Sequence, residues 1–102
     1  MAIETVFDFN INLTQNADIS IEYQGIHGYY GFSGSEPWGM SCYLDGQQIK
    51  QIGGSAGYTE TPIIIGGRKN IGAGSRNIKV TWFGSSKMTL SQSDIVVGIR
   101  YR

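Results

Sequence analysis

Among its 102 residues the sequence has one cysteine, one histidine and two prolines, and each shortage excludes something. A lone Cys42 cannot close an intramolecular disulfide; on the apolar side of an alternating run it reads as a small buried hydrophobe rather than a thiol nucleophile. With His27 as the only histidine, zinc sites built on several His or Cys ligands are not available. Any Ser-His-Asp arrangement would hang on that one residue, which has no nucleophile motif beside it. The turn around Asn16 and Asp18 lacks the dense oxygen ligands of a calcium loop, so neither metal nor cofactor is expected. No apolar run is long enough to span a membrane. Met1-Ala2-Ile3-Glu4 enters an alternating pattern without the basic-then-apolar leader of an exported protein. The expectation is a cytoplasmic protein, or one released without a classical signal peptide. Asn12-Leu13-Thr14 fits a glycosylation pattern, but inside an expected strand it reads as coincidence.

Basic residues are missing from residues 1–49, which hold six acidic side chains for a charge of −6, whereas residues 50–102 carry eight basic and two acidic for +6. The total is zero, which gives no general pull toward nucleic acid. The asymmetry would make a bipolar surface only if the two halves stay apart in space.

Helical periodicity is missing as well. What is present is alternation with period two, clearest on either side of Asp45-Gly46, a dipeptide that favours a two-residue type I′ hairpin. Counting outward sets Leu44 opposite Gln47, Cys42 opposite Ile49 and Met40 opposite Gln51. Met40, Cys42, Leu44 and Ile49 then share one face, and Ser41, Tyr43, Gln48 and Lys50 the other. Residues 3–13 alternate with Phe7, Phe9, Ile11 and Leu13 on one side, and Ile19, Ile21 and Tyr23 do the same after a polar turn, suggesting an N-terminal hairpin. Gly25 to Phe32 reads as a glycine-broken strand with a bulge, and residues 33–39 as a loop carrying Trp38, since small residues and Pro37 deny it ladder or helix. Residues 53–57 read as a flexible connector. Ile63-Ile64-Ile65 reads as a strand buried on both faces, with Pro62 keeping its start away from a central position. Residues 66–76 read as a basic glycine-rich loop; Ile78, Val80 and Trp82 alternate after it, as do Ile95, Val97, Ile99 and Tyr101 in the last run.

A chain of this length builds one domain, residues 1–102, around one core. Eight or nine short strands separated by turn signals indicate an all-β antiparallel sandwich of two packed sheets, with a small β-barrel as the alternative.

The loop at residues 66–74 imitates a nucleotide motif but fails as one. The second glycine is followed by Ala73-Gly74 instead of Lys-Ser/Thr, and a strand follows where a helix is needed. Carboxylates such as Glu36, Glu60 and Glu22 would suit a glycosidase only if folding paired them, which spacing does not show. The aromatic residues are the stronger lead: Tyr29, Tyr30, Phe32, Trp38 and Tyr43 fall within fifteen residues. Adjacent Tyr29 and Tyr30 cannot both face the core of a regular strand, and flat rings beside polar groups stack on sugars. Against this stands the reading that these aromatics close the ends of the core. The expectation is a non-enzymatic, lectin-like module contacting a glycan through Trp38, Tyr29, Tyr30, Glu36 and Tyr43. The competing expectation is a structural protein that assembles into homo-oligomers through sheet edges or charged faces, and a small hydrolase using His27 trails both.

Overall fold

In the computed structural model, which describes residues 3–29, 36–56, 62–84 and 88–102, Asp45 and Gly46 hold φ angles of 51° and 79°. Two successive positive values are what a type I′ hairpin turn requires. The turn joins β3 (Glu36–Leu44) to β4 (Gln47–Ala56). The Asp45 carboxylate accepts the Asn77 backbone N–H at 2.9 Å and the Arg76 guanidinium at 3.0 Å, latching the hairpin tip to a neighbouring strand. A Cβ at position 46 would meet nothing within 4 Å, so only the backbone angle restricts this site. Gly46→Val is accordingly expected to lower stability by more than ~1 kcal/mol, read as a lower urea midpoint; an unchanged midpoint would contradict the turn.

The remaining strands are β1 (Glu4–Leu13), β2 (Ala17–Tyr29), β5 (Ile63–Ile71), β6 (Gly74–Phe83) and β7 (Met88–Tyr101). They form two antiparallel sheets, one of four strands in the order β1-β6-β3-β4 and one of three in the order β5-β2-β7. The packed sheets enclose the alternating apolar residues: Ile19, Ile21, Tyr23 and Ile64 from one side, and Met40, Cys42, Leu44, Ile78 and Val80 from the other, all buried. At about 3.3 Å per residue a strand the length of β7 spans roughly 45 Å, which accounts for the elongated 51 × 20 × 18 Å body.

Several expectations are corrected. Seven strands stand among the described residues instead of eight or nine, because two mergers occur: the glycine-broken stretch from Gly25 continues β2 as far as Tyr29, and Met88-Thr89-Leu90, expected as a short strand of its own, joins the last run as one strand with a bulge at Gln92 (φ 52°). β1 and β2 make no hairpin: β1 pairs with β6 and β2 with β5 and β7, so the turn between them crosses from sheet to sheet. In the central hairpin Leu44 does face Gln47, but a bulge after Cys42 sets Cys42 opposite Lys50 and Met40 opposite Ile52. The glycines at 53 and 54 continue β4 instead of forming a connector. Residues 66–71 and 74–76 likewise belong to β5 and β6, leaving only a short turn where a basic loop was expected. Ile64 is buried, yet Ile63 and Ile65 are 51% and 63% exposed, because β5 is an edge strand with one face to solvent. That edge position agrees with Pro62 just before it.

The charge division does not become a bipolar surface. Acidic β1 lies against basic β6, and β2, with Asp18 and Glu22, runs between β5 and β7, which carry Arg68, Lys69 and Arg100, with Arg102 just past the end of β7. Two ion pairs, Asp45–Arg76 at 3.0 Å and Asp18–Arg102 at 2.7 Å, tie the acidic half to the basic one.

Candidate functional site

The expected aromatic site does not assemble around Trp38. That residue lies within β3, not in a loop, and is 9% exposed, with its indole over Gly54 of β4. Tyr43 lies five residues along the same strand, about 17 Å away, and an odd spacing turns it to the opposite face. There it is half-buried and lines a shallow depression of about 330 Å³ with Ile3, Gly46, Lys79 and Thr81. Tyr29 ends β2 and Glu36 opens β3, with side chains beyond the described part, and Tyr30 and Glu60 lie outside the described residues.

A different concavity lies on the outer face of the three-stranded sheet. Ser20 of β2 has Gly67 of β5 directly opposite on one side and Gly98 of β7 on the other. Two glycines flanking a serine across three adjacent strands leave a strip of sheet almost without side chains. The result is a trough of about 570 Å³ lined by Asp18, Ser20, Gly67, Lys69, Gly98 and Arg100 together with neighbouring backbone. This volume is within the range of small-molecule sites. Gly67 is also a structural requirement, because a Cβ there would come within 2.5 Å of the Ile19 carbonyl oxygen, whereas one on Gly98 would come within 2.4 Å of the Ser20 hydroxyl, which can rotate away. Beyond Glu22 the same face continues into a second depression of about 320 Å³ lined by Ile63, Ile65 and Val96.

The rim of the trough is cationic. Asp18 is already engaged: one carboxylate oxygen accepts Arg102 Nε at 2.7 Å and the Asn70 backbone N–H at 2.8 Å. The Arg102 bond first, and then the Asn70 N–H, holds its carboxyl below the ordinary aspartate value. Arg68 points its guanidinium toward Gln47, 2.7 Å away on β4. Lys69 and Arg100, both exposed, are left with the Ser20 hydroxyl facing the trough.

Other reactive groups are placed as follows. Cys42 is fully buried, and desolvation pushes its thiol up to about 11, so it stays a protonated packing group. Tyr23 shares a 2.8 Å hydrogen bond with the Ser93 hydroxyl, and burial raises its phenol above the usual value against that bond. Among the described residues no three His, Cys, Asp or Glu side chains converge as a metal site, and no helix is long and apolar enough to cross a membrane.

Residue-by-residue reading missed the trough because its parts are Ser20, Gly67 and Gly98, which acquire meaning only once the register joins β5, β2 and β7. An isolated glycine inside an alternating run, as at Gly98, was the one available signal, since it marks a close approach or a missing side chain. Comparison with known protein families and with curated proteins finds no match to this chain.

Proposed function

We propose that the protein is a non-enzymatic binding module for carbohydrate, and that an acidic sugar is held in the trough over Ser20. The observation that carries this reading is the strip from Gly67 across Ser20 to Gly98, bare but for the serine hydroxyl and rimmed by Lys69 and Arg100. A sugar carboxylate or sulfate suits those donors, because charge-assisted hydrogen bonds to an anion are stronger than neutral ones. The Ser20 hydroxyl both donates and accepts toward ring hydroxyls, and the aliphatic surfaces of Ile65 and Val96 continue the face for C–H contacts. Hydrolysis is disfavoured by geometry: His27 lies seven residues along the strand from Ser20, about 23 Å away, so no histidine base activates that hydroxyl.

Ser20→Phe tests the reading without disturbing the core. The ring would lie across Gly67 and Gly98, a cross-strand contact worth about 0.2–1 kcal/mol of added stability, while filling the trough. On an array of neutral and acidic oligosaccharides, the native protein is expected to bind acidic sugars in a salt-sensitive way, and Ser20→Phe to lose that binding with its melting midpoint unchanged or raised. A native protein blank on all acidic sugars, or a Ser20→Phe variant that binds as well, would overturn the proposal.

A further inference from the structure

The geometry points to a two-fold homodimer in which β7 of one copy pairs antiparallel with β7 of a second, centred on Val97. It does not rest on the carbohydrate reading, although Gly98 and Arg100 belong to both surfaces. β7 is hydrogen-bonded to β2 along one side only, and among the described residues no strand pairs with its other side. An unprotected edge of this kind offers a row of backbone N–H and C=O groups as a template for another strand. Of the other three edges, β4 and β5 lie against one another, and β1, at the far side of the four-stranded sheet, is guarded: a bulge between Thr5 and Phe7 breaks its register, and its charged side chains, Glu4 and Asp8, are both acidic. Between the Gln92 bulge and the strand end at Tyr101, β7 has no comparable defence.

The register follows from symmetry. In an antiparallel pair, residues directly opposite point to the same face, so a two-fold self-pairing of β7 must centre on a residue. The regular run at residues 93–101 has Val97 as its midpoint, and that centre pairs the whole run with itself. It sets Asp94 opposite Arg100 of the second copy, twice per dimer. It also lays Val96, 63% exposed, over the bare backbone of Gly98, and Ile95 against Ile99, 40% exposed and on the core-facing side of the strand. Centring on Val96 would set Asp94 against Gly98 and lose the charge pair. Centring on Gly98 would set two glycines together and direct Asp94 to Arg102, whose guanidinium is held by Asp18 at 2.7 Å. A parallel in-register arrangement would oppose like charges at positions 94 and 100. The signs along β7 therefore match one partner, a second β7 running the other way, and the two three-stranded sheets become one sheet of six.

A charge-swap cycle tests this on the full chain by sedimentation between about 1 and 100 µM. Asp94 and Arg100 are exposed, so exchanging them leaves the core intact. The native protein is expected to dimerise. Asp94→Arg and Arg100→Asp should each weaken dimerisation about tenfold or more, since each places like charges opposite twice. The double variant should recover it. For register, Val97→Cys should form a disulfide-linked dimer on oxidation while Val96→Cys does not, because only position 97 faces its own copy within bonding reach. A native monomer at the highest concentration, a double swap that fails to recover dimerisation, higher assemblies in place of a dimer, or cross-linking at 96 but not 97 would each overturn the inference.

Discussion

Replacing Trp38 by alanine is expected to cost about 3–5 kcal/mol, the range for truncating a large aromatic in a packed core. The ring contributes by covering bare backbone as well as by filling volume. Trp38 is paired with Gly54, and a Cβ built on Gly54 would lie 3.6 Å from the indole nitrogen, so the ring lies on the strip of β4 where no side chain exists. The neighbouring Gly53 is held for a separate reason, since a Cβ there would come within 2.9 Å of the Trp38 carbonyl oxygen. Alanine would remove the ring from above Gly54, which has no side chain to take its place. With total stability for such a domain in the range of about 5–15 kcal/mol, the variant would retain a small margin at best. Urea unfolding checks the number: a loss below ~1.5 kcal/mol would show that the ring is dispensable to the core.

Removing residues 94–102 is expected to abolish cooperative folding altogether. β2 is the central strand of its sheet and buries Ile19, Ile21 and Tyr23, each with a β7 partner directly opposite at Ile99, Val97 and Ile95. The truncation turns β2 into an edge strand and uncovers that row. It also takes away Ser93's neighbours, Arg102 and the backbone bond from Arg102 N–H to the Asn16 carbonyl, 2.9 Å, that closes the sheet end. A truncated chain with a sharp urea or thermal transition would show that four-stranded packing suffices without β7.

The fold class was legible because burial alternates wherever a strand has one covered face. Ile19, Ile21 and Tyr23, and Ile78, Val80 and Trp82, are core residues in the phase that the sequence predicts. Asp45-Gly46 was legible for a separate reason, since backbone angle at a turn is a local property. Pairing was not legible. Nothing near Ile11 or Ile19 says that their strands belong to different sheets, because that outcome depends on β6 and β7, far along the chain. Glycine misled in a consistent way. Gly53, Gly54, Gly66 and Gly67 look like linker, but all four lie in strands, where Trp38 covers Gly54, Lys50 and Ile49 lie against Gly66, and backbone crowds Gly53 and Gly67. Trp38 was misplaced because Pro37 seemed to deny a strand. β3 pairs with β6 only from Gly39 onward, so at Pro37 it has a ladder on one side alone, where a missing N–H is tolerated. The trough shares that limit, since Ser20, Gly67 and Gly98 are ordinary until the register aligns them.

The strand order also governs how the chain reaches this state. Of the ladders among the described residues, only β3 with β4 joins strands adjacent in sequence; every other pairing closes a long stretch of chain. The Asp45-Gly46 hairpin can form in about 1–10 µs, whereas non-local β topologies fold in milliseconds to seconds, because loop-closure entropy is lost before the contacts that reward it exist. β2 fares worst on the ribosome. Its apolar row emerges early and waits for β7, which at about 5–20 residues per second arrives some seconds later. During that interval Ile19, Ile21 and Tyr23 have no permanent cover, so the chain is most exposed to misassociation, and most in need of a chaperone, before synthesis is complete.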